Sequence, residues 1–282
     1  MEVEGRTALL TGAAGGIGPA VARGLAGAGA HVALSGLPDE GETLEELRDE
    51  LRGTGVRSEV VLADLTVPDE LDTLCDRVED ALGPVEALVN NAGYETTAAF
   101  AEFTPEEIER IVAVNLTAPL LLTRRALRRM RALGHGHVVF MSSLAGKLGQ
   151  PYNHPYSATK AGMVGLTQSL RAEYPDGPIG FSVICPGFVS GGGMYARMEE
   201  DGAKAPFMAA AVPAEDVASA VVDAIRRNRP EVIVNSRGMK PILTLQAIAP
   251  RLAERVLRRT GPDEVFKHMA EARGRLGEPI AR

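Results

Sequence analysis

The apolar run at residues 7–11 (TALLT) passes directly into TGAAGGIG, residues 11–18. Ile17, Val21, Ala22 and Leu25 then recur at helical spacing. Strand, glycine turn, helix is the pattern that most narrows what this chain can fold into. Gly12, Gly16 and Gly18 let the backbone turn sharply and approach a ligand closely. The helix N-terminus behind them offers unpaired N–H groups and a positive dipole, which suit a pyrophosphate. The spacing is G-x-x-x-G-x-G, and taken alone a plain flexible Ala/Gly turn is the competing reading.

The alternation continues along the chain. Strands are predicted at 31–35, 59–63, 87–89, 137–141, 180–184 and 232–234, and helices at 42–52, 68–82, 157–173 and 214–226. Thr104-Pro105-Glu106-Glu107 is a capping box that opens a further helix, predicted to run past Asn115 to Leu133 with a kink at Pro119. Near-continuous apolar strands between helices predict a doubly wound, Rossmann-type sheet of seven parallel strands with helices on both faces. Residues 1–235 are predicted to form one catalytic and ligand-binding domain, and 236–282 a C-terminal helical extension.

Ligands of such sheets lie beyond the carboxyl ends of the strands. The polar residues gather there: Gly12 to Gly18 after the first strand, Ser35 after the second, Asp64 after the third, Asn90 after the fourth. Ser143 follows the fifth, and Pro186-Gly187 the sixth. Tyr156 and Lys160 stand at i and i+4 on the next helix, so their side chains share a face. A cation beside a phenol favours the phenolate, which is what a general acid/base for alcohol or carbonyl chemistry needs. Such a pair alone would most simply be a surface accident; the convergence on one sheet edge favours function.

A net charge of −7 and a pI near 5.4 argue against a polyanion-binding protein. Cys75 and Cys185 lack metal spacing and are expected to be buried, reduced thiols, and no metal is expected. The chain shows no secretory signal and no run of eighteen apolar residues, so a cytoplasmic protein is expected.

With these residues in hand, the chain resembles the short-chain dehydrogenase/reductase family over roughly residues 4–235. The motifs that carry the resemblance are TGAAGGIG (11–18), Asp64, NNAG (90–93), Asn115, Ser143, YSATK (156–160) and PG (186–187). The resemblance implies a nicotinamide cofactor, NAD or NADP, and hydride exchange with an alcohol or carbonyl. Tyr156 would be the general acid/base. Lys160 would lower its pKa and bond the nicotinamide ribose, Ser143 would hold the substrate oxygen, and Asn115 a water behind Lys160. The cofactor would lie along Gly12, Gly16, Ile17 and Gly18, past Ser35, with Asp64 and Leu65 at the adenine. Asn91, Ala92 and Gly93 would flank the ribose, and Pro186, Gly187, Val189 and Ser190 the carboxamide. Relatives that use NAD place an acidic residue near position 36, and those that use NADP a basic one near 37. Here Gly36 and Leu37 stand there, followed by Asp39, Glu40, Glu42, Glu45 and Glu46, an acidity that leans toward NAD. Ser190 stands where relatives offer a Thr, and Gly191-Gly192-Gly193 suggests a mobile lid through Met194, Tyr195 and Met198.

The substrate pocket is expected to be lined by 92–97, 144–154 and 188–208, with Tyr152 and His154 either orienting substrate or lying on the rim. Its apolar content suits a moderately apolar secondary alcohol or ketone. Residues 226–282 carry thirteen Lys and Arg against six Asp and Glu. Leu245, Ile248, Leu252 and Val256 fall on one helical face among Arg251, Arg255, Arg258 and Arg259. That face could meet a membrane surface or guard a greasy entrance, or simply pack on the domain or a sister subunit. The family resemblance implies a homotetramer or homodimer. The readings that compete with a dehydrogenase are a catalytically silent dinucleotide-binding regulator and a peripheral membrane reductase of lipid-like substrates.

Overall fold

The computed structural model of the chain describes residues 1–175, 177–200, 202, 210–236, 238–260 and 262–276. The alternation of apolar runs becomes β1 (Thr7–Thr11), α1 (Gly18–Gly27), β2 (His31–Ser35), α2 (Gly41–Arg52), β3 (Ser58–Val60), α3 (Pro68–Leu82) and β4 (Val85–Asn90). It continues as α4 (Pro105–Val112), α5 (Ala118–Leu133), β5 (Gly136–Met141), α6 (His154–Glu173) and β6 (Ile179–Pro186). Next come β7 (Val189–Ser190), α7 (Gly193–Glu200), β8 (Val212–Pro213), α8 (Ala214–Arg227) and β9 (Glu231–Val234). Helices α9 (Lys240–Ile248), α10 (Pro250–Thr260) and α11 (Pro262–Ala272) follow.

The strands form the predicted seven-stranded parallel sheet, in the order β3-β2-β1-β4-β5-β6-β9. Strand side chains alternate between two apolar layers. Leu10, Leu34, Val89, Val139 and Ile184 pack under α1, α2 and α8. Leu9, Leu88, Val138, Phe140 and Val183 pack under α3, α5 and α6. Each such fully buried side chain contributes about 1.5–3 kcal/mol relative to exposure. Cys75 and Cys185 lie in the second layer as free thiols, and burial pushes them up to about 11 and about 12. The order reverses between β1 and β4, so the carboxyl ends of those two strands open a crevice.

Besides longer elements, such as α6 from His154 rather than 157 and β4 at Val85–Asn90 rather than 87–89, three departures from the sequence reading matter more. β3 closes at Val60 rather than Ala63, although Val61 N–H still donates to the Leu34 carbonyl at 2.9 Å and Ala63 N–H to that of Gly36 at 2.8 Å. The long helix from Thr104 is interrupted by a π turn, Ala113–Thr117, just before Pro119 enters the first turn of α5. Proline has no N–H to give the carbonyl four residues back, which here is Asn115, and the wider turn absorbs the mismatch. The apolar stripe Leu245–Val256 does not lie on one helix. Ala249, held at φ −144° by the proline after it, separates α9 from α10.

Candidate active site

Two glycines set the floor of the crevice. Gly12 holds φ +62°, and a Cβ there would lie 2.7 Å from Ala92 Cα, so only glycine lets the tips of β1 and β4 approach this closely. Gly16, at φ +58°, is met by the start of α7: a Cβ on Gly193 would lie 2.7 Å from Gly16 Cα. The tips are laced together. Asn91 Nδ2 donates to the carbonyls of Thr11 (3.1 Å) and Gly12 (2.9 Å), while Thr11 Oγ accepts from the N–H groups of Asn91 and Ala92, both at 3.1 Å. Side-chain-free backbone at a helix start is the cradle a pyrophosphate needs, so these residues fit a dinucleotide.

β5 ends in Ser142 and Ser143. Ser142 Oγ donates to the Lys160 carbonyl at 2.8 Å, tying β5 to α6 at the level of the Tyr-Lys pair. Ser143 Oγ accepts from Ala145 N–H at 3.1 Å and donates to the Pro186 carbonyl at 3.4 Å, and it lies near enough to the Tyr156 phenol to favour its ionised form. Lys160 is 2% exposed; its Nζ donates to the Met141 carbonyl at 2.8 Å and sits 5.3 Å from the Tyr156 ring centroid. Burial lowers the Lys160 pKa to about 8. The phenol does not show the expected depression. Burial raises the Tyr156 pKa, the negative charge of Glu95 raises it further, and the Ser143 hydrogen bond only partly opposes this.

Tyr156, Lys160 and Ser143 line a cavity of about 470 Å³, together with Gly12, Gly16, Ile17, Asn91, Ala92 and Gly93. Pro186, Gly187 and Val189 line it as well. The other predicted residues are close by but do not line it. Gly18 is buried in the turn, and Ser35 is buried with its carbonyl accepting from Ala13 N–H at 3.0 Å. Asp64 accepts from Thr66 N–H (2.8 Å) and Oγ (2.7 Å), and Leu65 packs against the second apolar layer. Ser190 Oγ donates to the Val212 carbonyl at 3.2 Å, holding β7 against β8. Asn115 is fully buried behind the site: its Oδ1 accepts from Tyr94 N–H and its Nδ2 donates to the Tyr94 carbonyl, both at 2.8 Å.

The expected substrate segments divide similarly. Glu95, Leu144, Leu148, Asn153 and Phe188 line the cavity, whereas Tyr152 joins an apolar cluster beside it and His154 packs edge-on to Phe100. Residues 201 and 203–208 of the expected lining, and the side chains of Arg258 and Arg259, lie outside the described residues. The segment read as a mobile lid forms the helix α7, whose Met194, Tyr195 and Met198 all line the cavity. The sequence reading missed Glu40, which lines the cavity with Oε2 accepting from Leu37 N–H at 2.7 Å. A Cβ on Gly36 would lie 2.6 Å from that same oxygen. Of the C-terminal stretch the sequence reading named Val256, on a face that could guard the entrance, but it missed Ile242, Leu257, Phe266 and Met269 of α9, α10 and α11. No helix among the described residues is long and apolar enough to cross a membrane, and among them no group of His, Cys, Asp or Glu is arranged to hold a metal.

A family model described as short chain dehydrogenase matches residues 6–203. The ketoacyl reductase HetN of Nostoc sp. (strain PCC 7120) is 35% identical over 278 residues, which is 97% of this chain and 95% of that protein. D-beta-hydroxybutyrate dehydrogenase of Rhizobium meliloti is 37% identical over 189 residues, 65% of this chain and 71% of its own length. Nodulation protein G of Rhizobium sp. (strain N33) is 39% identical over 188 residues, 67% of this chain and 75% of its own length.

Proposed function

The chain belongs to the short-chain dehydrogenase family and is an NAD(P)-dependent oxidoreductase, and on that premise we propose that it interconverts a moderately apolar secondary alcohol and its ketone with Tyr156 as general acid/base. The observation that carries this reading is the meeting of Ser143, Tyr156 and Lys160 on a cavity that also reaches the glycine turn. When bound, the nicotinamide dinucleotide supplies the hydride donor or acceptor. Gly12, Gly16, Ile17 and Asn91 hold it along the crevice, and Pro186, Gly187 and Val189 lie toward its nicotinamide end. Ser143 donates to the substrate oxygen and stabilises charge that develops there. Tyr156 gives a proton to that oxygen in reduction and takes it back in oxidation. Lys160 places a positive charge 5.3 Å from the Tyr156 ring centroid, which acts against the upward pull of burial on the phenol. The Asn115 side chain is engaged by Tyr94, so a proton-relaying water would bind the Asn115 carbonyl, whose usual helical donor position is occupied by Pro119. The name ketoacyl reductase on a relative matched over 97% of this chain supports carbonyl reduction.

We further propose NAD rather than NADP, with Glu40 in place of the acidic residue missing at position 36. Its carboxylate is folded against Gly36 and Leu37, where it would accept from adenosine ribose hydroxyls and repel a 2′-phosphate. Parallel fluorescence titrations are expected to show NADH binding at least tenfold tighter than NADPH, with Glu40→Gln narrowing the gap. Equal affinities in the unmodified protein would remove the assignment.

Glu95 offers a separate test of the proton-transfer role. Its charge raises the Tyr156 pKa, so Glu95→Gln lowers it. Alcohol oxidation needs the phenolate and rises with pH through that pKa; the rising limb of the kcat/KM profile is therefore expected to move to lower pH in the variant. A limb that stays in place would mean that it reports some other group. Apolar side chains left exposed on α4 and α5, Val112, Leu120 and Leu121, support a homo-oligomeric assembly, and we take the enzyme to be cytoplasmic.

A further inference from the structure

The chain after β9 does not trail away from the domain. It returns across the cavity as α9, α10 and α11 and is fastened at the far side by Arg275. That guanidinium makes two contacts with the Glu107 carboxylate (2.6 and 2.7 Å), donates to the Glu102 carbonyl at 2.7 Å and lies over the Phe103 ring, 5.6 Å from its centroid. The backbone joins in: Ala99 N–H donates to the Arg275 carbonyl at 2.8 Å. A paired, partly buried Arg fork of this kind holds one geometry, unlike a lone surface ion pair. The strap is therefore a fixed wall, secured at the N-terminal end of α4.

The chemistry of that wall is one-sided. Its described residues on the cavity are Met239, Ile242, Val256, Leu257, Phe266 and Met269, all apolar. The charged groups on the cavity, Glu40, Glu95, Lys160 and Arg197, all come from elsewhere in the chain. Phe266 stacks on Phe188 (centroids 6.1 Å apart, planes at 22°), and Phe266 and Met269 cluster with Met198 of α7. Phe188 lines the cavity two residues after Pro186 and touches the strap through Phe266. Methionine-rich walls adapt to a flexible chain without demanding one shape. We infer that the strap forms an acyl-chain site, so that this enzyme acts on carbonyl compounds bearing an unbranched apolar chain, the carbonyl at Tyr156 and the chain between α7 and α9–α11. The inference rests on the hydride-transfer reading only for where the carbonyl lies; the wall and its fastening are independent of it.

The test uses 2-alkanones from 2-butanone to 2-decanone, followed by calorimetric Kd in the presence of the oxidised cofactor NAD, with which a ketone cannot react, and by steady-state kcat/KM with NADH. Each methylene buried against the strap is worth about fourfold, so Kd is expected to fall and kcat/KM to rise by about that factor per carbon until the cavity is filled. Met269→Glu puts a charge in the wall and Arg275→Ala releases its fastening. Both are expected to flatten the chain-length dependence while NADH affinity stays within twofold, and if the buried Met269→Glu fails to fold, Arg275→Ala carries the comparison. No chain-length dependence in the unmodified protein, or a dependence that survives in Arg275→Ala, overturns the proposal. Binding that tightens with chain length without any turnover would uphold the strap and remove the hydride-transfer reading. Turnover with no dependence on chain length would do the reverse.

Discussion

Replacing Tyr156 with phenylalanine is expected to lower kcat by about a thousandfold while NADH affinity stays within twofold of the unmodified enzyme. The substitution removes one oxygen and little else. The ring is 8% exposed and packs with Ala98, Phe103, Ile111 and Ala145, contacts that phenylalanine keeps, so the fold and the melting temperature should change little. What disappears is the group that gives a proton to the substrate oxygen or takes one from it. General acid/base catalysis by a placed side chain contributes about a hundredfold to ten-thousandfold. The buried setting favours the upper half of that range, because water has no easy route to substitute. Single-turnover measurements with bound NADH separate the chemical step from release, and a kcat within tenfold of the unmodified enzyme would remove Tyr156 from the mechanism.

The direction of the Tyr156 shift bears on how that step depends on pH. The i, i+4 spacing predicts that Lys160 brings the phenol down, yet the phenol is raised and the lysine lowered to about 8, both chiefly by burial. Two opposite charges removed from water each meet a desolvation penalty, and a hydrogen bond from Lys160 to the Met141 carbonyl does not offset it for the phenol. Sequence spacing shows that two side chains share a helical face. How much water either retains is decided by what covers them, and over Tyr156 the covering comes from Ala98, Phe103, Ile111 and Ala145, with Met194 of α7 packed against them.

The same distinction separates what was legible from what was not. β2 and α3 appear with the boundaries their apolar spacing implied, because each encodes its own burial through period two or three to four. The glycine turn, Asn91 and the Ser143–Tyr156–Lys160 set were legible because strand ends must meet along one sheet edge once the strands are parallel. Asp64 and Ser190 shared those edges, but local partners occupy them: Thr66 for the carboxylate and the Val212 carbonyl for the hydroxyl. Glu40 lay in plain sight within an acidic run, and nothing in that run distinguishes the one carboxylate that folds back on Gly36. The strap was legible only as one of several uses for an apolar face, a guard on a greasy entrance, and of that face Val256 alone lines the cavity. Its apolar stripe was assigned to one helix because helical spacing continues through Pro250, whereas the proline breaks it and turns α10 back over the cavity.

Gly146→Ala is expected to lower kcat/KM by at least a hundredfold, although residue 146 touches neither substrate nor cofactor in the proposed mechanism. Gly146 closes the short 3-10 turn Leu144–Gly146 that carries the chain away from Ser143. A Cβ there would lie 2.6 Å from the Lys160 carbonyl carbon, 2.7 Å from its oxygen and 2.9 Å from Ala161 N, all backbone atoms with no rotamer to yield. Either the turn or α6 must move. Ser142 ties the same carbonyl to β5, so the displacement falls on the Ser143–Tyr156 relation. A shift of about 1 Å in reacting geometry costs on the order of a hundredfold in rate, and forcing an extra carbon into packed backbone costs roughly 1–3 kcal/mol of stability. Gly165 supplies the control: it lies on the same helix with open space where its Cβ would be, so Gly165→Ala should keep full activity and gain about 0.5–1 kcal/mol. NADH titration and thermal melts on both variants make the comparison, with affinity expected to persist in each because Gly12 to Ile17 lie on β1 and its turn. Full activity in Gly146→Ala would mean that the close approach of this turn to α6 does not set the geometry of the site.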